Sequence, residues 1–199
     1  MKIKKSFLAL LATASLSVSA NAASNVALSL TDLSGTNNSS VNVGSSITYN
    51  INVSNLLTYQ GTPGLGGYDI TVDYPSFLSY QSATLGTNFD VNDNPLIINS
   101  SGQVELSNVS FDTAANILAS QTGSFTIGTI TFNATSLGNG SLTFDPLTSL
   151  SDEQGNALVF STATAQASAV PEPSSVALIA LGAGGIFLMA MRRRSQAGV

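Results

Sequence analysis

From Ser46 to Ser54 apolar and polar residues alternate without a break: Ile47, Tyr49, Ile51 and Val53 share one parity, Thr48, Asn50, Asn52 and Ser54 the other. Successive side chains of a strand point to opposite faces, so this segment predicts a strand with one dry and one wet face. Gly67–Tyr74 repeats the pattern, with Tyr68, Ile70, Val72 and Tyr74 inward and Asp69, Thr71 and Asp73 outward. Pro75 then removes a backbone donor and ends the run. Shorter runs bounded by turn residues predict strands over Val26–Leu33, Phe77–Ala83, Leu96–Ile98, Val104–Phe111, Ser124–Ala134, Ser141–Phe144 and Ala157–Thr164. In the strand from Ser124, Phe125 and Ile127 share a parity that Ile130, Phe132 and Ala134 do not, and a β-bulge at Gly128 reconciles them. Val104 and Leu106 against Val109 and Phe111 show the same slip. Thr113–Ser120 alone reads as a helical turn. About nine strands, no amphipathic helix and no internal repeat predict an all-β fold, a β-sandwich.

The two ends follow other rules. Met1-Lys2-Ile3-Lys4-Lys5, the apolar run Phe7–Ala14 and the closing Ala20-Asn21-Ala22 form the tripartite pattern of a secretory signal peptide. It predicts a signal at 1–22, cut after Ala22, with Ala20 and Ala22 as the cleavage-site residues. At the other end a small-residue linker, Ala163–Ala169, leads into Val170-Pro171-Glu172-Pro173-Ser174-Ser175. An apolar stretch, Val176–Met191, follows, and Arg192-Arg193-Arg194 closes it. Sixteen residues at 1.5 Å each give about 24 Å, short of a ~30 Å hydrocarbon core, and flanking serines and snorkelling arginines make up the difference. The arginines orient the C-terminus toward the cytoplasm and leave the β domain outside. The organisation is therefore a signal at 1–22, a β domain at 23–168 and a tail at 169–199, with a membrane helix at 175–191 and a basic end at 192–194.

Charge is segregated to match. All six basic residues lie in the two end segments, all eleven acidic residues lie between Asp32 and Glu172, and the chain has no His and no Cys. The β domain thus carries no Lys, Arg or His. It has no basic patch with which to neutralise phosphates, which excludes ordinary nucleic-acid binding. It forms no side-chain salt bridge and no disulfide, so apolar burial and hydrogen bonds must hold it together.

The tail resembles a PEP-CTERM sorting signal through Pro171-Glu172-Pro173, the short apolar helix and Arg192-Arg193-Arg194, in that order. Prolines on both sides of Glu172 keep the segment extended and out of the membrane helix. The resemblance implies processing by an exosortase-type protease after signal peptidase has acted. It further implies a transient single-pass inner-membrane intermediate and delivery to the envelope, outer surface or extracellular matrix of a Gram-negative bacterium. The β domain resembles cohesin modules and related carbohydrate-binding sandwiches. The matching runs are Val43-Gly44-Ser45-Ser46-Ile47-Thr48, Leu65-Gly66-Gly67-Tyr68-Asp69 to Tyr74-Pro75, Phe125–Ala134, Leu137-Gly138-Asn139-Gly140-Ser141-Leu142 and Asp152-Glu153-Gln154-Gly155. A cohesin-like, jelly-roll type sandwich of about nine strands is what this resemblance implies. The family's usual Tyr-Asp-Pro is here Tyr74-Pro75, a turn one residue shorter.

Catalysis has little to work with. Without His or Cys, triads, Cys–His pairs and ordinary zinc sites are excluded, and without Lys so is a Ser–Lys dyad. A carboxylate pair drawn from Asp69, Asp73, Asp112 and Glu105 is formally available, but solvated surface carboxylates are the plainer reading. The chain reads as a non-enzyme that needs no cofactor. Asp90-Val91-Asn92-Asp93-Asn94 opens like an EF-hand loop, yet Pro95 replaces the required Gly and Ser101 the bidentate Glu, leaving room for weak Ca²⁺ binding at most. Two binding readings remain open beside a passive matrix role. In the cohesin resemblance the partner docks on the sheet containing Gly67–Tyr74, where Asp69, Asp73 and Glu105 would receive a protein with basic or Ca²⁺-bearing groups. Binding of extracellular polysaccharide would need flat aromatic platforms. With no Trp, and with Tyr49, Tyr68 and Tyr74 inward by parity, Tyr59 and Tyr80 are the candidates.

Overall fold

A computed structural model of the protein describes residues 26–56, 64–89 and 95–172, together with 178, 179 and 181. The signal segment, Tyr59, the Asp90–Asn94 turn, Pro173, nearly all of the expected membrane helix and Arg192–Arg194 lie outside the described residues. Among the described residues no helix is long and apolar enough to cross a membrane.

The alternating segments form strands where expected: β1 (Ala27–Asp32), β3 (Ser46–Ser54), β4 (Leu65–Asp73), β5 (Leu78–Leu85), β6 (Leu96–Ser100), β7 (Gln103–Val109), β8 (Phe125–Ala134) and β9 (Gly138–Phe144). The stretch 157–164 is divided, with a single bridge at Ala157 and a short strand β11 (Ser161–Ala163). The helical turn is α1 (Ala114–Ser120), capped by Thr113, whose side chain accepts from the Asn116 amide. Three strands escaped the pattern reading: β2 (Asn38–Asn42), β10 (Ser149–Asp152) and β12 (Ala165–Val170).

One sheet runs β11-β1-β3-β8-β5, and the other β2-β12-β9-β4-β7-β6 with β10 on β4. Pairing is antiparallel except β1 with β11 and β2 with β12. The core between the sheets is built from the inward parity of both, with Tyr49, Ile51, Phe132, Ile70, Leu106 and Leu142 fully enclosed. The bulge in β8 falls where the phase changes: Gly128 pairs with Ile51, Thr126 with Asn52, and Ile127 is the extra residue. A Cβ at Gly128 would press on the Thr84 carbonyl at 2.7 Å, so the neighbouring strand closes over this position only if it is glycine.

Two expectations fail. β7 has no bulge, and its ladder with β4 is unbroken from Gln103 opposite Asp73 to Val109 opposite Gly67. Asn108 takes the inward position, while Val109 and Phe111 point to solvent at 51% and 74% exposure. The apparent slip is thus an apolar outer surface. The segment read as the linker Ala163–Ala169 is largely strand β12, paired with β9 on one edge and β2 on the other. Ala165, Ala167 and Ala169 are buried, and opposite them lies fully buried Tyr49, whose hydroxyl donates to the Gln166 carbonyl at 3.3 Å. Small residues fit because a large one faces them, and alanine's weak apolar signal and low strand propensity hid the alternation.

Two five-residue turns are built alike. In Asp32–Thr36 and Asp152–Asn156 the Asp amide donates to the carbonyl four residues on, at 2.7 and 2.9 Å, and the glycine amide donates back to the Asp carbonyl at 3.0 Å in both. Gly35 and Gly155 take φ of +81° and +82°, which glycine adopts without cost. One carboxylate oxygen accepts from the amides two and four residues on, and the other from the side chain of the last residue, Thr36 or Asn156. Hydrogen bonds from Ser34, the Thr36 amide and Ser39 hold the Asp32 carboxyl well below its ordinary value of 3.8. Burial works against ionisation of Asp152, but the bonds from Asn156, Gln154 and Gly155 outweigh it and hold that carboxyl low as well.

A group whose pKa is lower in the folded state supports folding above its unfolded value, and that support is lost as pH falls below it. Stability is therefore expected to hold from neutral pH to about 4 and then to drop. Thermal unfolding at pH 7 and pH 2.5 measures this. The Asp32→Asn/Asp152→Asn double variant should be less stable at pH 7, by about 1 kcal/mol per site, and should show a clearly smaller acid-induced fall in Tm. An equal fall would place the acid sensitivity elsewhere.

Candidate functional site

The outward parity of β4 carries Asp69, Thr71 and Asp73. The register lays Ser107, Glu105 and Gln103 of β7 beside them and Leu96, Ile98 and Ser100 of β6 beyond. On the other side β10 adds Ser149 opposite Asp69 and Ser151 opposite Gly67. The β4–β7 pairing brings the three carboxylates expected to meet a partner onto one face. Asp69 is exposed, Glu105 and Asp73 are half-exposed, and Asp73 accepts from the Gln103 amide group at 2.7 Å. The loop after β9 adds Asp145, whose carboxylate accepts from the Leu147 amide at 2.7 Å.

This face is apolar as well as acidic. Leu96 and Ile98 stand 47% and 43% exposed, Val109 51% and Leu147 85%. Alternation alone does not place Val109 on the outer face and gives Leu96, Ile98 and Leu147 no outward role. The signal lay in the register, since a residue opposite Glu105 or Ser107 must share its face. Two shallow hollows mark the surface. One of about 340 Å³ is lined by Gly67, Asp69, Ser107, Val109, Ser149 and Ser151. The other, of about 210 Å³, is lined by Thr71, Ile98, Gln103, Glu105, Asp145 and Leu147. Both are floored by strands and edged by loop residues, Gly155 in the first and Asp145 and Leu147 in the second.

The polysaccharide candidates are placed differently. Tyr80 lies on β5 in the other sheet, half-buried and packed against the core beside a second register shift. Tyr49 and Tyr68 are buried as parity required, and Tyr68 meets Phe89 edge-on at 5.2 Å. Half-buried Tyr74 packs against Phe132 with ring centres 4.9 Å apart. Asp112 precedes the Thr113 cap of α1, and its carboxylate accepts from the Asn116 side-chain amide at 3.4 Å. Among the described residues no three acidic side chains gather as a metal site would require.

Comparison with known proteins bears on both halves of the chain. Residues 169–194 match the model of the PEP-CTERM protein-sorting motif, so the chain carries a sorting signal of exported, envelope-sorted proteins. No curated protein matches the chain. The sandwich is cohesin-like. It superposes on a non-cellulosomal cohesin from the hyperthermophilic archaeon Archaeoglobus fulgidus with a TM-score of 0.57 at 14% identity, covering 75% of this chain and 94% of that one. The sixth cohesin of Acetivibrio cellulolyticus scaffoldin B, solved with a Cel5 dockerin, gives 0.57 at 18% identity over 73% of this chain and 99% of its own. A type II cohesin domain from the same organism's cellulosome gives 0.58 at 15% identity, covering 71% and 94%. At these identities the likeness is one of fold.

Proposed function

We propose that this chain is an exported envelope or matrix protein of a Gram-negative bacterium whose sandwich is a non-catalytic protein-interaction module. Its docking surface is the outer face of β10, β4, β7 and β6. The observation that carries the reading is the mixed character of that face. Exposed Leu96, Ile98, Val109 and Leu147 form an apolar patch of the kind that marks interaction sites, and Asp69, Asp73, Glu105 and Asp145 surround it with negative charge. A partner that fits offers apolar anchors ringed by basic groups or a bound cation. The dockerin complex of the Acetivibrio cohesin supports a protein partner over a small ligand. In this reading signal peptidase removes residues 1–22, and an exosortase-type protease acts on the tail at Pro171–Pro173 with Arg192–Arg194 as its basic end.

The test is recovery of partners from the envelope fraction on the immobilised domain, with two variants run in parallel. A protein retained by the native face and by Tyr80→Ala, but lost at least tenfold with Leu147→Asp/Glu105→Lys, is the expected result. Retention of polysaccharide that Tyr80→Ala or Tyr59→Ala abolishes would favour the carbohydrate reading instead. The mass of the native extracellular form reports the tail: a C-terminus near Pro171–Pro173 is expected, and an intact Arg192–Arg194 end would sink processing by cleavage.

A further inference from the structure

Strand β12 does not lead into the sorting motif through a linker; it stops at it. Val170 is the last residue of the strand, its carbonyl accepts from the Val43 amide at 3.0 Å, and Pro171 follows directly. Pro171 and Glu172 lie over a hollow of about 380 Å³ shared with Val43 and Leu137, and the Glu172 carboxylate comes within 4.0 Å of where a Cβ on Gly44 would stand. The register shows what else is at this tip. β2 runs parallel to β12, so the Val43–Ser45 turn is there, and β9 begins there after Thr135–Leu137. The Thr135 amide donates to the Phe77 carbonyl at 2.8 Å, which brings in the Tyr74–Phe77 turn.

Across these turns Glu172 is the single charged residue, with Asp32 the nearest further carboxylate, in a hollow it shares with Val41 and Ser46. Asp152 pairs with Leu65 at the start of β4, and Glu153 lies over Gly64, so they and Asp112 collect at the opposite end. The tip displays Leu137 at 59% exposure and Val170 at 36%, while Phe111, at 74%, is displayed beside Asp112 at the acidic end.

Five residues, Pro171–Ser175, separate β12 from the apolar run, a reach of at most about 18 Å. We infer that the tip formed by Val43–Ser45, Thr135–Leu137 and Val170–Glu172 is the surface that rests on the lipid headgroups while the chain is tethered, with Leu137 as its leading contact. The opposite, acidic end then points away from anionic headgroups, as electrostatics demands. The inference rests on the tail reading above.

The chain has no Cys, so single cysteines report position cleanly. The full chain is reconstituted in vesicles of phosphatidylethanolamine and phosphatidylglycerol carrying nitroxide headgroups, with a fluorophore on Leu137→Cys or on Gln154→Cys at the far end. Quenching at 137 at least threefold stronger than at 154 is expected. Equal quenching, stronger quenching at 154, or none at either site in protein that floats with the vesicles would overturn the inference while leaving the tail reading intact. Failure to float, or flotation that persists in a chain ending at Glu172, would remove the tail reading and the inference with it.

Discussion

A chain ending at Thr164 is expected not to fold, whereas one ending at Glu172 unfolds cooperatively. β12 lies inside its sheet, so deleting it leaves β2 without its strand partner and strips one edge of β9. The buried Ala165, Ala167 and Ala169 go with it, and the Tyr49 hydroxyl loses its acceptor inside the core. A strand's worth of orphaned backbone groups, at about 1–3 kcal/mol for each one that stays buried, exceeds the 5–15 kcal/mol by which a domain is ordinarily stable. Near-ultraviolet circular dichroism and urea titration of the two chains decide the matter. A cooperative transition in the shorter chain within about 1 kcal/mol of the longer one would show that β12 is dispensable. This segment also sets the C-terminal limit of any domain prepared for binding work: a cut at 168 falls inside β12.

Gln121→Ala is expected to cost about 2–4 kcal/mol, well beyond the usual surface substitution. The side chain is buried at the end of α1 and acts as a stand-in strand for the start of β4. Its oxygen accepts from the Leu65 amide at 2.7 Å, and its nitrogen donates to the Leu65 carbonyl at 2.9 Å. Alanine leaves both backbone groups buried and unpaired. Gln121→Glu separates this account from simple loss of packing. The carboxylate keeps the first bond but loses the donor, so the variant should be destabilised at pH 7. It should recover as pH falls and the buried acid takes up a proton, which lets it donate again. Absence of that recovery in urea titrations, while the acid turns remain intact, would show that the two Leu65 bonds are not the origin of the effect. Because β4 begins at Leu65, this residue also anchors the strand that carries Asp69 and Asp73.

The regular parts of the fold were legible because period-two alternation is a direct consequence of strand geometry. Ser46–Ser54 matches its strand to the residue, and the change of parity at Gly128 marks the bulge, whose extra residue is the adjacent Ile127. The failures have two causes, and the first is the assumption that apolar means inside. Taking Val109 and Phe111 as inward demands a slip in β7 that the unbroken ladder does not have, and it hides the apolar half of the outer face of β4, β7 and β6. Conversely, alanine carries so little apolar weight that β12 passed for a linker. The carboxylates of that face were found because polar residues on a half-buried strand can point only one way. The role of the Asp32 and Asp152 carboxylates depends on backbone amides brought round by a glycine turn, which the alternation of apolar and polar residues does not reveal.

The attachment of the sorting motif to an interior strand has a mechanical side. Ladder hydrogen bonds lie across the strand direction, and β12 is bonded to β9 on one edge and to β2 on the other. A pull on Glu172 runs along the strand axis. It loads both ladders in shear, all bonds together, instead of peeling them one at a time. A domain hung by its last strand in this way resists extraction with the whole strength of that strand's pairing.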